Sequence, residues 1–234
     1  MSNEPRSPLR GLGKYLGLAL SQECVLCGER SGEALLCPAC SADLPTLPAL
    51  CPVCALPAPA GAVCGECSRR SPHFDRTLAL WRYDFPCDAL VQALKYRARL
   101  PLAKFFAAAL GARIVRRADI IVPMPLHRRR LAERGFNHAV EIARHLEVLT
   151  GIPVAADAVE RVRHTPVQAG LPYADRAANV RGAFACRADL RDKRIAVVDD
   201  VMTTGTTLNE LAAVLKKAGA ADVENCVVAR TLLD

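Results

Sequence analysis

Eight cysteines in the first 67 residues fall into four C-x-x-C pairs, and the pairs themselves repeat. Cys24/Cys27 is followed nine residues later by Cys37/Cys40, and Cys51/Cys54 nine residues later by Cys64/Cys67. The unit C-x2-C-x9-C-x2-C therefore occurs twice, 27 residues apart. A C-x-x-C turn aims two thiolates at one point, and two such turns close a tetrahedral site. Glycine and proline in "CGER", "CPAC", "CPVC" and "CGEC" suit the tight turns this needs. Four thiolates per site leave no open position, so the reading is two structural zinc sites. Disulfides are the first alternative, opposed by a reducing compartment and by the regular spacing. Redox-active C-x-x-C is the second, without a thioredoxin-like βαβ context. Iron is the third, since a thiolate set alone does not exclude it. Alanine, proline and glycine dominate between the cysteines, so the segment has little to bury and needs a staple. A structural zinc supplies on the order of 10 kcal/mol of folding free energy in peptides. Cys87, Cys186 and Cys226 stand alone and read as small buried hydrophobes.

After Cys67 the pattern changes. "RTLALWRY" alternates like a strand, while "CDALVQALKY" and "PLAKFFAAALGARIV" have helical spacing. "DIIVPMP" is a short buried strand stopped by prolines, and "NHAVEIARHLEVLTG" a helix capped by Asn137 and closed by Gly151. "RIAVVDD", "TLNELAAVLKKAGA" and "DVENCVVART" read as strand, helix and strand. Strands alternating with helices predict an α/β fold, a mostly parallel sheet flanked by helices. The expected organisation is a short N-terminal helix within 1–20, a double zinc-ribbon module over 21–70, and an α/β domain over 71–234. Ligands of such sheets bind at the carboxyl ends of strands, here Pro123–Pro125 and Asp199–Asp200.

No apolar run approaches the eighteen residues of a membrane span. Arg6, Arg10 and Lys14 precede "YLGLAL", but that run is too short for a signal peptide. The expected location is the cytoplasm. A net charge of +7 favours anionic partners without naming them.

"VVDDVMTTGTT", Val197–Thr207, carries the most chemistry. The helix that follows has unpartnered first-turn amides and a positive dipole end. Thr203, Thr204, Thr206 and Thr207 add hydroxyls, and Gly205 lets the chain turn tightly and a ligand come close. This is a phosphate cradle, though not a Walker A loop, because no G-K-[ST] occurs. Asp199 and Asp200 precede it, and carboxylates accept from sugar hydroxyls and attract magnesium's water shell. A phosphate at one end and a diol at the other describe a ribose 5-phosphate. A plain strand end and helix cap is the alternative.

The stretch resembles the signature of type I phosphoribosyltransferases, which bind 5-phosphoribosyl 1-diphosphate (PRPP). With "VPMPLHRRRLAERGFNHA", "RHTPVQAGLPYADRAANVRGAF" and the cysteine-rich N-terminus, nearly the whole chain resembles the ComF family of ComFC- and GntX-like proteins. Gln168, Leu171, Arg176, Asn179 and Phe184 fit that family's middle pattern in spacing. Ala98 stands where "KYRGR" is usual, and His138 where glutamine is expected. The resemblance implies the type I phosphoribosyltransferase fold behind the zinc ribbons. It implies that Asp199 and Asp200 hold the ribose hydroxyls and support magnesium indirectly. It implies that Thr203, Thr204, Gly205, Thr206 and Thr207 hold the 5-phosphate. It places a pyrophosphate loop at Pro125, Leu126, His127, Arg128 and Arg129, where guanidinium forks match phosphate oxygens. A solvated basic loop is the alternative there. The implied activity is transfer of phosphoribosyl from Mg-PRPP to a nitrogen nucleophile with release of pyrophosphate. No residue names the acceptor or the general base.

A second class of function stays open. Basic residues run from Lys95 to Arg134 with few acids, a pattern that can track a nucleic-acid backbone. The ComF resemblance also implies a role in DNA uptake or competence, with single-stranded DNA or the uptake machinery as partner. Aromatics interleave thinly with the bases, at Tyr96, Phe105, Phe106 and Phe136, so the stacking platform is sparse.

Overall fold

The structure, a computed structural model, describes residues 22–59, 61–114, 118–163 and 180–232. The expected helix within 1–20 and the family positions Gln168, Leu171, Arg176 and Asn179 lie outside them. The chain divides into two compact units, Met1–Leu44 and Pro45–Asp234.

In the first unit, β1 (Gln22–Glu23) pairs antiparallel with β2 (Arg30–Gly32), and the short helix α1 (Pro38–Ala42) starts inside "CPAC". In the second unit, α2 (Gly65–Arg69) starts inside "CGEC". Then come β3 (Arg76–Arg82), α3 (Cys87–Arg97), α4 (Pro101–Gly111), β4 (Ile120–Pro123), α5 (Arg128–Arg134) and α6 (His138–Thr150). They are followed by β5 (Val159–Arg161), β6 (Phe184–Cys186), β7 (Arg194–Met202), α7 (Thr206–Lys217) and β8 (Asp222–Arg230).

The central sheet has the order β3-β8-β7-β4 and every pair is parallel. The flanking helices and the parallel sheet are the fold expected from the alternating pattern. β5 and β6 form a separate antiparallel pair that the sequence reading did not assign. In β7, buried positions alternate between two covered faces, which is why it reads as a continuous apolar run. On one face, α4 packs on β8, and α6 packs on β4 and β7. Leu90, Leu94, Phe106, Leu110, Ile142 and Leu146 are fully buried, each contributing about 1.5–3 kcal/mol of transfer free energy. On the other face, Val122, Val197 and Val227 meet Leu208, Leu211 and Leu215 of α7.

The second half-repeat is built into that second core. Cys51, Cys54, Ala55 and Cys67 belong to it together with Phe74 and Met202. Thr77 N–H donates to Pro52 O (3.2 Å), and Arg82 N–H to Pro45 O (3.0 Å). The residue after each first C-x-x-C pair adopts positive φ: Gly28 at 78° and Ala55 at 54°. A Cβ on Gly28 would meet open space, whereas Ala55 is fully buried. Ala98, the family departure, caps α3 at φ 48°, a left-handed position that glycine fills without a steric penalty.

Candidate functional site

The eight paired cysteines form two clusters, Cys24/Cys27/Cys37/Cys40 and Cys51/Cys54/Cys64/Cys67. Within each, the sulfurs lie within 4.8 Å of one another. Cys27 and Cys37 Sγ are 3.8 Å apart, and Cys54 and Cys64 Sγ 3.6 Å. A tetrahedron with zinc–sulfur bonds of about 2.3 Å requires about 3.8 Å between sulfurs. A disulfide would need about 2 Å, and all eleven cysteines are free thiols. Burial pushes the Cys51 thiol up, but amides of Cys54, Cys64 and Val53 outweigh it and bring it down to about 7. Amides of Cys27, Cys37 and Leu26 likewise overcome burial at Cys24 and bring it down to about 6. Backbone donors thus favour one thiolate in each set, while neighbouring sulfurs raise the Cys40 thiol and burial raises Cys54 and Cys67, crowding that a bound cation would relieve. It is the spacing of the sulfurs by which both sets fit a structural zinc. Cys87 and Cys226 are fully buried, and burial raises both thiols.

The second constellation lies at the carboxyl ends of adjacent β4 and β7, where Pro123 pairs with Val198. β7 runs on past the acids to Met202, so Asp199 and Asp200 lie within the strand. The chain turns at Thr203–Gly205, and α7 begins at Thr206. Gly205 suits the turn because φ is 79°, a left-handed conformation, and a Cβ there would also have to push aside Met202 Cε, 2.6 Å away. Thr204 and Thr206 Oγ1 are 2.8 Å apart. The acids and residues 203–207 line one cleft of about 210 Å³.

Bases surround the acids. Lys95 Nζ of α3 lies 2.5 Å from Asp200 Oδ2, and His138 Nε2 lies 3.1 Å from the same oxygen. Neither contact has the alignment of a directed hydrogen bond; Lys95 acts on Asp200 by charge, and His138 presents only the dipole of its ring. Arg134 Nη1 and His138 Nδ1 are 2.8 Å apart. A guanidinium only donates, so Nδ1 accepts and Nε2 carries the proton toward Asp200. Burial, then the charges of Lys95 and Arg134, hold His138 well below its usual range, so the ring is neutral at pH 7. Asn137 seats it, its Oδ1 accepting from Ala139 N–H (3.0 Å) and its Nδ2 donating to Met124 O (3.0 Å). Burial lowers Lys95 to about 8 against the pull of Asp199. Burial raises Asp199 to about 6 against the pull of Lys95 and Arg161.

The expected pyrophosphate loop divides. Pro125–His127 connect β4 to α5, and Leu126 lines the cleft. Arg128 reaches Glu160 (3.0 Å) and Arg129 reaches Glu133 (3.3 Å). His127 caps α5, its Nδ1 accepting from Arg129 N–H (3.2 Å). The guanidiniums lining the cleft with the acids are Arg130, Arg134 and Arg161. Sequence reasoning missed the tie between Lys95 and the acids, and saw His138 only as a departure. Helical spacing places Lys95 in the last turn of α3, but no local pattern aims it at Asp200.

A double zinc ribbon and a phosphoribosyl transferase domain are the two parts this arrangement defines. Family models agree: Double zinc ribbon domain matches residues 15–68, and Phosphoribosyl transferase domain matches residues 131–232. DNA utilization protein YhgH of Escherichia coli (strain K12) is 32% identical over 206 residues, covering 84% of this chain and 91% of that protein. Competence protein F of Haemophilus influenzae is 31% identical over 178 residues, covering 71% of this chain and 78% of that one. The chain belongs to the ComF family. Among solved structures, a purine phosphoribosyltransferase from Pyrococcus horikoshii Ot3 aligns at TM-score 0.35 and 20% identity, over 66% of this chain and 88% of that one. Among the described residues, no helix is long and apolar enough to cross a membrane.

Proposed function

We propose that the cleft binds the magnesium complex of 5-phosphoribosyl 1-diphosphate and that the domain transfers its phosphoribosyl group. The observation that carries this is the acid pair and the threonine cradle sharing one cleft. Thr203–Thr207 and the first-turn amides of α7 take the 5-phosphate. Asp199 and Asp200 take the ribose hydroxyls. Arg130 and Arg134, with the turn from Pro125 to His127, face the diphosphate. Lys95 already balances Asp200 at 2.5 Å, so the pair suits magnesium held through hydroxyls and water better than direct chelation. Magnesium supplies neutralisation of the leaving diphosphate. In the transfer, the bond from the anomeric carbon to the diphosphate oxygen breaks and a bond to nitrogen forms. The nitrogen's proton passes to solvent water, and the ribosyl positive charge is stabilised by the field of Asp199 and Asp200.

Calorimetric titration with Mg-PRPP tests the reading. Asp199→Asn with Asp200→Asn abolishes or greatly weakens binding while zinc content and circular dichroism stay as in the wild type. Unchanged affinity in that double variant removes the claim. Pyrophosphate release against a panel of nitrogen nucleophiles tests the transfer itself.

A role in handling single-stranded DNA is the second reading, favoured by one placement. Tyr96 is 72% exposed at the cleft with the Arg134 guanidinium 5.4 Å over its ring, whereas Phe105 and Phe106 are packed against Trp81. The names of the two relatives, DNA utilization protein and Competence protein F, point the same way. Binding to single-stranded DNA that weakens with salt and falls in Tyr96→Ala supports it. No binding at low salt counts against it.

A further inference from the structure

Arg230, the last residue of β8, is 1% exposed. Its guanidinium is satisfied by backbone carbonyls drawn from separate parts of the second unit. Nε donates to Cys54 O (2.9 Å), inside the second C-x-x-C turn. Nη1 donates to Met202 O (2.9 Å), to Thr231 O (2.7 Å) and to Thr203 O. One side chain thus ties a metal-binding turn to the first residue of the threonine loop. Only the planar fork joins the two sides: an ammonium placed at Nη1 could meet the Met202, Thr203 and Thr231 carbonyls but would leave Cys54 O without its donor.

The Cys54 carbonyl is itself held by the closed cysteine cluster. Ala55 N–H donates to Cys51 O (3.0 Å), and Cys64 N–H to Cys51 Sγ (3.3 Å). Two further contacts join the same parts. His73 N–H, just past the cluster, donates to Asn209 Oδ1 in the first turn of α7 (2.7 Å). Phe74 packs in one core with Cys54 and Met202 and lies 4.0 Å from where a Cβ on Gly205 would be.

We propose that Arg230 is a positioning residue for the threonine loop, anchored on the second cysteine cluster, so that the loop keeps its shape only while that cluster holds its metal. The ligand-binding consequence rests on the phosphoribosyl reading; the loop geometry does not.

Two hydrogen-bonded amides report on the loop without any ligand, and their hydrogen exchange tests the proposal: Asn209 N–H donates to Gly205 O (2.8 Å) and Thr231 N–H to Met202 O (3.0 Å). Arg230→Lys keeps the buried charge and loses the fork, and Cys64→Ser opens the second cluster at its half-buried cysteine. In zinc-loaded protein, both variants are expected to speed exchange at Asn209 and Thr231 by about tenfold or more, while residues 195–198 of β7 stay protected. Mg-PRPP affinity falls in parallel, by about tenfold. Cys27→Ser is the control for loss of the other metal. Wild-type exchange at Asn209 and Thr231 in folded Arg230→Lys overturns the proposal, as does a uniform loss of protection across the sheet, which marks a merely structural role. If Arg230→Lys does not fold, stepwise chelation of the wild type decides: unchanged loop exchange after the second cluster loses its zinc overturns it. A wild type that binds no Mg-PRPP defeats the functional reading but leaves the exchange result to judge Arg230.

Discussion

Replacing Asp199 with asparagine is expected to make the free protein more stable. Burial raises this carboxyl from 3.8 to about 6, and the pull of Lys95 and Arg161 is already contained in that balance. Its side chain is only 13% exposed, so solvent screening does not dilute the effect. A folded-state value above the unfolded one means the unfolded chain gives up the proton first. Stability therefore falls as pH rises from about 4 to 6 and stays lowered above that. The rise amounts to about 3 kcal/mol at pH 7 and to roughly half of that at pH 5. Asparagine removes the charge and keeps the oxygen that accepts from Asp200 N–H (2.9 Å). The assay is urea denaturation of zinc-loaded wild type and Asp199→Asn between pH 5 and 7.5. An Asn variant no more stable than wild type at pH 7, or a difference that does not change with pH, refutes the reasoning. The same substitution is expected to weaken Mg-PRPP binding, and a more stable protein that binds less cannot be dismissed as misfolded.

Other expectations follow from single positions. Elemental analysis should find about two zinc ions per chain, falling to about one in Cys64→Ser. Ala98→Gly should stabilise by about 0.5–1 kcal/mol in thermal or urea melts, because Ala98 is exposed at φ 48° and gives up no packing. Gly219→Ala should destabilise by about 2 kcal/mol, since φ is 98° and the new Cβ would lie 3.0 Å from the Arg191 Cα, a backbone atom that cannot swing away.

The sheet was legible because its period is simple. "RIAVVDD" and "DVENCVVART" are apolar on both faces and bounded by helical patterns, so the parallel layering followed from pattern alone. The cysteine clusters were legible because ligand spacing is local, and the cleft's acid pair and threonines because they are contiguous. What escaped were residues that act across the chain. Lys95 reaches Asp200 from a helix more than a hundred residues earlier, and nothing near either residue encodes the meeting. Arg128 and Arg129 read as phosphate ligands from their place after a strand, yet their carboxylate partners Glu160 and Glu133 are met only once the chain folds. The one local hint of Arg230 was a charge closing the apolar run "CVVAR".

The two half-repeats are equal on paper, yet a methyl group separates their fates. Gly28 turns in open space, and Ala55 makes the same turn with its side chain sealed in the sheet's core. The halves are therefore not exchangeable parts. A fragment cut at Pro45 keeps the core closed, whereas one cut at Ser71, just past the last paired cysteine, strips away Cys51, Cys54, Ala55 and Cys67 and exposes the apolar floor beneath α7. Anyone trimming this protein to its transferase domain should leave the second ribbon attached.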